Sequence, residues 1–230
     1  MRILALDTST EYLSLALLLD NEVITEDIHA GQTHSQLILP RIGEMLRKAG
    51  VALQDMDGIA FGAGPGSFTG LRIGCGVAQG LAFGANLPVA AVSTLMAIAQ
   101  GTDATKVIAC LDARMGEVYH AAYIKEGETW REVSAPGLYK PELVPTLTGE
   151  GWTGIGSGWA AYGEVLQTAY ADQVDAVFAQ AYPHALAIAE LAEPMFAAGL
   201  GVPAAEAAPI YIRNKVALKT SERAAGMKFG

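Results

Sequence analysis

Two segments near the N-terminus combine acidic, hydroxyl and glycine residues in patterns that could bind phosphate. Asp7-Thr8-Ser9-Thr10 follows one apolar stretch, and Gly62-Ala63-Gly64-Pro65-Gly66-Ser67-Phe68-Thr69-Gly70 follows another. Successive backbone N–H groups of a glycine-rich turn form a concave anion site, which the positive end of a following helix strengthens. An aspartate beside it could hold Mg²⁺-bound water. The candidate nucleotide- or anion-binding residues are Asp7, Thr8, Ser9, Gly64, Gly66 and Ser67.

Both segments also have an interpretation without a ligand. The glycine loop lacks the Walker spacing, and Arg72, the nearest cation, follows the final glycine by two residues. Glycines of this kind permit a tight turn and close packing. An aspartate at the end of a strand often accepts N–H bonds in an Asx-turn. The sequence leaves both interpretations open.

Other catalytic arrangements find no support in the sequence. The histidines, which lack the spacing of a convergent zinc site, are His29, His34, His120 and His184. Gly64-Pro65-Gly66-Ser67-Phe68 does not match the nucleophile elbow of serine hydrolases. Cys75 and Cys110 lie in apolar surroundings, as reduced and buried thiols do. We therefore predict no catalytic residue and no metal site.

The polar segments follow predicted strands of an α/β chain. Periodicity, turn residues and caps predict strands at 2–6, 13–19 and 23–28, a helix at 33–49 closed by Gly50, a strand at 58–61, a helix ending at 83, a strand at 88–92 and a helix capped by Ser93. Three strands in succession and two strands reached through helices make a mixed sheet covered by helices.

A second series begins near residue 105. A shift of 105 residues places Asp7 on Asp112 and Leu13 on Val118, each at the start of a strand-turn-strand pattern. The later elements are weaker: a strand at 129–138, a short helix at 141–147, a helix at 183–198, and a final strand or docking segment at 209–213. We therefore predict an α/β fold of two βββαβαβα-type halves, 1–103 and 104–230, with the second eroded and a cleft between them.

Composition limits the partners and the location. The 230 residues carry a net charge of −9, and with only 15 Lys and Arg residues the chain should not bind nucleic acid strongly alone. Residues 73–102 contain no charged residue, but glycines, Asn86 and Pro88 interrupt the run, which favours a buried helix, strand and helix over a membrane span. Arg2 lies where an export signal needs its apolar core, so we expect a cytoplasmic protein without membrane contact.

The helix at 33–49 is more apolar than one buried stripe requires. Ile38, Ile42 and Met45 fit a single core-facing stripe, whereas Leu39 and Leu46 extend the apolar surface beyond it. Deep burial within the chain and packing against another subunit both explain this pattern.

Four segments together resemble the TsaB (YeaZ) family over nearly the whole chain. They are Ile3-Leu4-Ala5-Leu6-Asp7-Thr8-Ser9-Thr10, Gly64-Pro65-Gly66-Ser67-Phe68-Thr69-Gly70-Leu71-Arg72-Ile73-Gly74, Ala78-Gln79-Gly80-Leu81-Ala82 and Pro209-Ile210-Tyr211-Ile212-Arg213. The resemblance implies a duplicated actin-like or Hsp70-like (ASKHA) fold. It also implies a non-catalytic role in making threonylcarbamoyladenosine at position 37 of tRNAs that read codons beginning with A, beside the catalytic subunit TsaD and the ATPase TsaE.

The resemblance also implies where partners bind. The helices near 33–49 and 70–84 would pack as a four-helix bundle against the equivalent pair of TsaD, or of a second copy of the chain. The candidate interface residues are Leu39, Leu46, Leu71, Arg72 and Cys75. By the same resemblance, two metal-binding histidines of TsaD would correspond to Thr94 and Ile98, whose side chains cannot replace them as ligands.

By the same resemblance the chain has no cofactor of its own, ATP or ADP at the junction with TsaD is left open, and tRNA is contacted only through the complex. The sequence also allows two other functions. One is an ATP-dependent small-molecule kinase that uses Asp7 and the glycine loop, and the other is a metallopeptidase, which the missing histidine pair disfavours.

Overall fold

Alternating apolar residues and glycine-rich turns build a first series of elements in the order that the sequence predicts. The structure is a computed structural model that describes residues 1–20 and 22–212. The first series is β1 (Arg2–Asp7), β2 (Tyr12–Leu19), β3 (Glu22–His29), α1 (His34–Ala49), β4 (Gly58–Gly64), α2 (Phe68–Ala85), β5 (Val89–Ser93) and α3 (Thr94–Gln100). Gly50 ends α1 with a left-handed φ of 67°, and the Ser93 hydroxyl accepts the Met96 N–H at the start of α3, as predicted.

The second series differs more from the prediction. It consists of β6 (Lys106–Asp112), β7 (Val118–Glu126), β8 (Thr129–Tyr139), β9 (Trp152–Ile155), α4 (Ser157–Tyr170), β10 (Val174–Phe178) and α5 (Ala185–Ala197). The sequence did not reveal β10, and the helix predicted at 141–147 is only a 3₁₀ turn at Pro141–Leu143. Residues 209–212 dock on the first half without forming a strand, while Arg213 lies outside the described residues.

The two series form two sheets with the same strand order. The first sheet runs β3-β2-β1-β4-β5 and the second β8-β7-β6-β9-β10. In each, the three strands that come first in the chain pair antiparallel and the last two join in parallel. The chain therefore contains two mixed α/β halves.

Helices lie outside and between the sheets, which gives five layers. Leu4 and Leu6 of β1 face α1 and α2, and Ile3 and Ala5 face α5. On the second sheet, α3 covers one face and α4 covers the other. The layer order is α1 and α2, first sheet, α3 and α5, second sheet, α4.

Small side chains let the middle layer pack closely. The face of the first sheet that packs against α5 carries four buried alanines, Ala5, Ala16, Ala60 and Ala90. The facing side of α5 carries four more, Ala185, Ala187, Ala189 and Ala192. Short side chains on both surfaces allow a helix to lie close to a sheet. Thus α5, which the predicted boundary assigns to residues 104–230, packs on the first sheet; that boundary remains a prediction.

The uncharged run at 73–102 forms the greater part of α2, then β5 and α3, as the predicted helix, strand and helix. Among the described helices, none is both long enough and apolar enough to cross a membrane.

Candidate functional site

The first strand ends in a buried polar turn formed by Asp7, Thr8 and Ser9, here called the Asp7 turn. The backbone N–H and the hydroxyl of Ser9 donate to Oδ1 of Asp7 at 2.9 and 2.8 Å. This is the Asx-turn arrangement that the sequence offered as one interpretation. Oδ2 of Asp7 is buried without a hydrogen-bond partner among the described residues.

The Asp7 turn fits into the glycine loop, residues 62–70. The Ser67 N–H donates to the Ser9 carbonyl at 2.8 Å, and the Thr8 hydroxyl donates to the Gly70 carbonyl at 2.7 Å. A Cβ atom on Gly70 would lie 1.9 Å from the Thr8 carbonyl oxygen, and one on Gly66 would lie 2.7 Å from that of Ser9. Close approach of the chain's own backbone therefore explains these glycines.

The six residues predicted to bind an anion come together, but they pack on one another. Ser67 directs its N–H to the Asp7 turn, and its hydroxyl accepts the Gly70 N–H at 3.3 Å. Gly64 has a φ of 120°, and a Cβ there would meet the Ile210 carbonyl oxygen at 2.7 Å. Nucleotide binding at these residues stays a prediction.

Burial dominates the ionisation of Asp7. It raises the pKa of Asp7 from 3.8 to about 7, although the hydrogen bonds from Ser9 act in the opposite direction. The folded chain therefore favours the neutral carboxyl. The neutral carboxyl of Asp7 makes its full contribution to the free energy of unfolding below pH 3.8. That contribution is lost as the pH rises through about 7.

We expect Asp7→Asn to reveal this dependence, because asparagine has the shape of the neutral acid at every pH. The free energy of unfolding of the natural chain, minus that of the variant, should fall by up to roughly 4 kcal/mol as the pH rises from 4 to 8. Urea denaturation of both chains at several pH values measures it. A constant difference would contradict burial of an ionisable Asp7.

A cavity of about 650 Å³ lies between the halves, and Asp7 is not among the residues that line it. Its lining includes Lys125 of β7 and the pair formed by His184 and Asp27, whose Nδ1 and Oδ2 are 3.2 Å apart. Within residues 1–20 and 22–212, no three His, Cys, Asp or Glu side chains are grouped so that they could hold a metal ion.

Thr94 and Ile98, which the resemblance led us to compare with metal-binding histidines of TsaD, are packing residues in this structure. The Thr94 hydroxyl donates to the Pro65 carbonyl at 2.5 Å and is fully buried. Ile98 is buried between α3 and the second sheet. Neither side chain lines the cavity between the halves.

The outer side of the α1 and α2 layer carries an unusual set of exposed small and apolar residues. Gly76, Gly80 and Gly84 follow one another at four-residue intervals on α2, and a Cβ on any of them would meet nothing within 4 Å. We call these three residues the glycine stripe. Leu39 on α1 and Phe83 on α2 are 52% and 83% exposed. No packing within the described chain explains the glycine stripe.

The five predicted interface residues lie at different depths. Leu39 and Arg72 are exposed, and Leu46 is half-buried against the core under α1. Leu71 and Cys75 are only 2% and 5% exposed, because they pack α2 onto the rest of the chain. Sequence reasoning missed the glycine stripe, whose four-residue spacing was the available signal.

Residues 202–212, here called the C-terminal strap, cross α2 on their way to the end of the described chain. Val202 pairs with Val89 at the edge of the first sheet. The Gln79 side-chain N–H donates to the Ala207 carbonyl at 2.9 Å, and the Ile210 N–H donates to the Ala63 carbonyl at 2.7 Å. The strap thereby fixes Tyr211 beside the first turns of α2.

The sequence of this chain is similar to those of known proteins over most of its length. Residues 19–228 match the model of the family TsaD, tRNA N6-adenosine threonylcarbamoyltransferase. The tRNA threonylcarbamoyladenosine biosynthesis protein TsaB of Escherichia coli K12 is 43% identical, with 95% of this chain and 97% of that protein covered. The protein with the same name from Haemophilus influenzae is 41% identical, with 95% and 96% covered.

A solved structure agrees with the sequence relatives. YeaZ from Pseudomonas aeruginosa superposes with a TM-score of 0.85 at 40% identity, covering 91% of this chain and 99% of that one. Full-length relatives at this identity share both the fold and the family. The chain therefore belongs to the TsaB (YeaZ) family.

Proposed function

We propose that this chain is a non-catalytic subunit required for transfer of the threonylcarbamoyl group to N6 of adenosine 37 in tRNAs that read codons beginning with A. It acts by binding and organising TsaD through the outer side of α1 and α2. The names of the relatives indicate the pathway, which is the biosynthesis of threonylcarbamoyladenosine in tRNA. The exposed glycine stripe and its apolar neighbours are the observation that supports binding of TsaD at this face.

The glycine stripe supports a helix-packing interface. Each glycine inside a helix costs about 1 kcal/mol relative to alanine, and no contact within the described chain requires the missing Cβ atoms. Small residues repeated every four positions let a second helix approach closely. A partner helix lying along Gly76, Gly80 and Gly84 accounts for residues that would otherwise only weaken α2.

Two observations support the absence of catalysis by this chain. Thr94 and Ile98 are packing residues, and the Asp7 turn fills the glycine loop that a kinase would use for phosphate. We propose that the chain has no cofactor of its own and that any ATP or ADP binds at the junction with TsaD. A net charge of −9 supports tRNA contact through the partners, TsaD and TsaE. This role places the protein in the cytoplasm.

We also propose that the two halves are copies of one actin-like (ASKHA) unit. Their identical strand order supports this, as does the 105-residue shift that aligns the ends of β1 and β6. The second unit has only a 3₁₀ turn where the first has α1. It therefore lacks half of the helical layer that would bind a partner, so TsaD, or a second copy of this chain as the alternative occupant, binds the first unit.

Leu39→Asp tests the interface directly. We expect the variant to bind TsaD about 30-fold more weakly or worse, because a carboxylate would be buried against an apolar helix face. Val165→Asp, at a similarly exposed position on α4, should bind normally. Calorimetry with purified TsaD measures both affinities. Equal binding by the Leu39 variant and the natural chain would show that this face is not the interface.

A further inference from the structure

Arg72 is held in one orientation by two aromatic side chains. Its guanidinium carbon lies 4.0 Å from the ring centroid of Phe68, and its Nε donates to the Tyr211 hydroxyl at 3.2 Å. The two rings are 5.6 Å apart. We call Phe68, Arg72 and Tyr211 the arginine clamp.

Arg72 has no carboxylate partner among the described residues, although it is exposed. Of the other described arginines, Arg2, Arg41, Arg114 and Arg131 each form an ion pair with Asp or Glu, and Arg47 has neither an ion pair nor an aromatic ring to hold it. An arginine that is fixed in place yet unpaired has already lost side-chain freedom that binding would otherwise remove. The clamp is therefore preorganised for an external anion.

The geometry determines what kind of anion fits. Nε is bonded to Tyr211, and the two terminal amino groups of the guanidinium, which have no hydrogen-bond acceptor among the described residues, can donate a parallel pair of hydrogen bonds. A carboxylate accepts such a pair, and a lysine could not offer it. Phe68 and Tyr211, which contact the guanidinium, are half-exposed aromatic residues, and such a surface suits a protein contact.

A phosphate of RNA is the less favoured occupant. Nucleic-acid sites gather several cations around each phosphate, whereas the described neighbours that hold Arg72 are two aromatic rings. The clamp also lies on the same helix as the glycine stripe, so a protein that covers the stripe reaches the clamp as well.

We propose that the arginine clamp is the receptor for an Asp or Glu side chain of TsaD. This rests on the proposed function, and it adds the chemistry that fixes the register of the partner along α2. The C-terminal strap is a positioning segment for the receptor, because it supplies Tyr211.

The test is calorimetry of TsaD with the full chain and its variants. Arg72→Glu should weaken binding at least about 30-fold, and Arg72→Lys should stay about 5-fold or more below the natural chain because the paired donors are lost. Tyr211→Phe should weaken binding about 3-fold by releasing Nε. Lys140→Glu, an equal charge change on the second half, should bind normally.

A compensating exchange identifies the partner group. Acidic surface residues of TsaD are changed singly to lysine, and one of these variants should restore binding to the Arg72→Glu chain. Normal TsaD binding by Arg72→Glu, together with lost binding by a glycine-stripe variant, would overturn the receptor and leave the interface standing. Normal TsaD binding with weakened retention of tRNA would assign the clamp to phosphate instead. If the natural chain does not bind TsaD, the proposed function itself is wrong.

Discussion

Gly80→Leu should leave the chain folded and reduce its affinity for TsaD by about 100-fold or more. Gly80 lies in the middle of the glycine stripe, and open space surrounds the position where its Cβ would be. Leucine favours helix more than glycine does, so the isolated chain gains stability. In the complex the added side chain would push apart two helices that meet through glycine, and the loss of close packing along both helices gives the large effect.

Calorimetry with TsaD and urea denaturation of the free chain together measure this result. Gly163→Leu is the matched control, because Gly163 also has nothing within 4 Å of its Cβ position but belongs to α4. It should bind TsaD normally. Unchanged affinity in the Gly80 variant, with the control behaving the same way, would mean that no helix lies on the stripe.

Gly70→Ala should destabilise the fold by more than about 4 kcal/mol, which is exceptional for one methyl group. Its Cβ would lie 1.9 Å from the Thr8 carbonyl oxygen and 3.0 Å from the Thr8 carbonyl carbon. Thr8 cannot withdraw, because its hydroxyl donates to the Gly70 carbonyl and its neighbour Ser9 is bonded to Ser67. Separating the two segments would break these buried hydrogen bonds and open the start of α2.

Thermal and urea denaturation report this loss, with Gly76→Ala as the comparison. Gly76 has open space around it in the same helix, so alanine there should stabilise the chain by about 0.5–1 kcal/mol. Normal stability of the Gly70 variant would contradict the interlocked arrangement. It would instead favour an open loop that is able to take an anion.

Local patterns were sufficient to predict the first half. The Gly50 and Ser93 caps and the strand ending in Asp7 depend on neighbouring residues, and the structure places them as expected. In contrast, β10 is a strand of only five residues at the edge of its sheet, which is too short for periodicity to distinguish it from a helix or a loop. The position of α5 on the first sheet depends on contacts between distant segments, which periodicity does not record.

The candidate site shows the same division. The sequence predicted that Asp7 lies beside the glycine loop, and the structure agrees. The position of the Thr8 and Ser9 carbonyls inside the loop depends on contacts between distant segments, which the sequence pattern does not record. The face of α2 that packs inward carries Leu71 and Cys75, so the outward face is the glycine stripe. Beyond Arg72 both faces of α2 are uncharged and made of small or apolar residues, so hydropathy alone could not tell them apart.

Reconstitution of the modification tests the central claim most directly. TsaD, TsaE, unmodified tRNA and a threonylcarbamoyl donor are combined with or without this chain, and threonylcarbamoyladenosine at position 37 is measured by mass spectrometry of the digested tRNA. We predict modification with the natural chain, and background levels when it is omitted or replaced by the Gly80→Leu variant. Full modification in its absence would contradict the proposal that the chain organises TsaD for transfer.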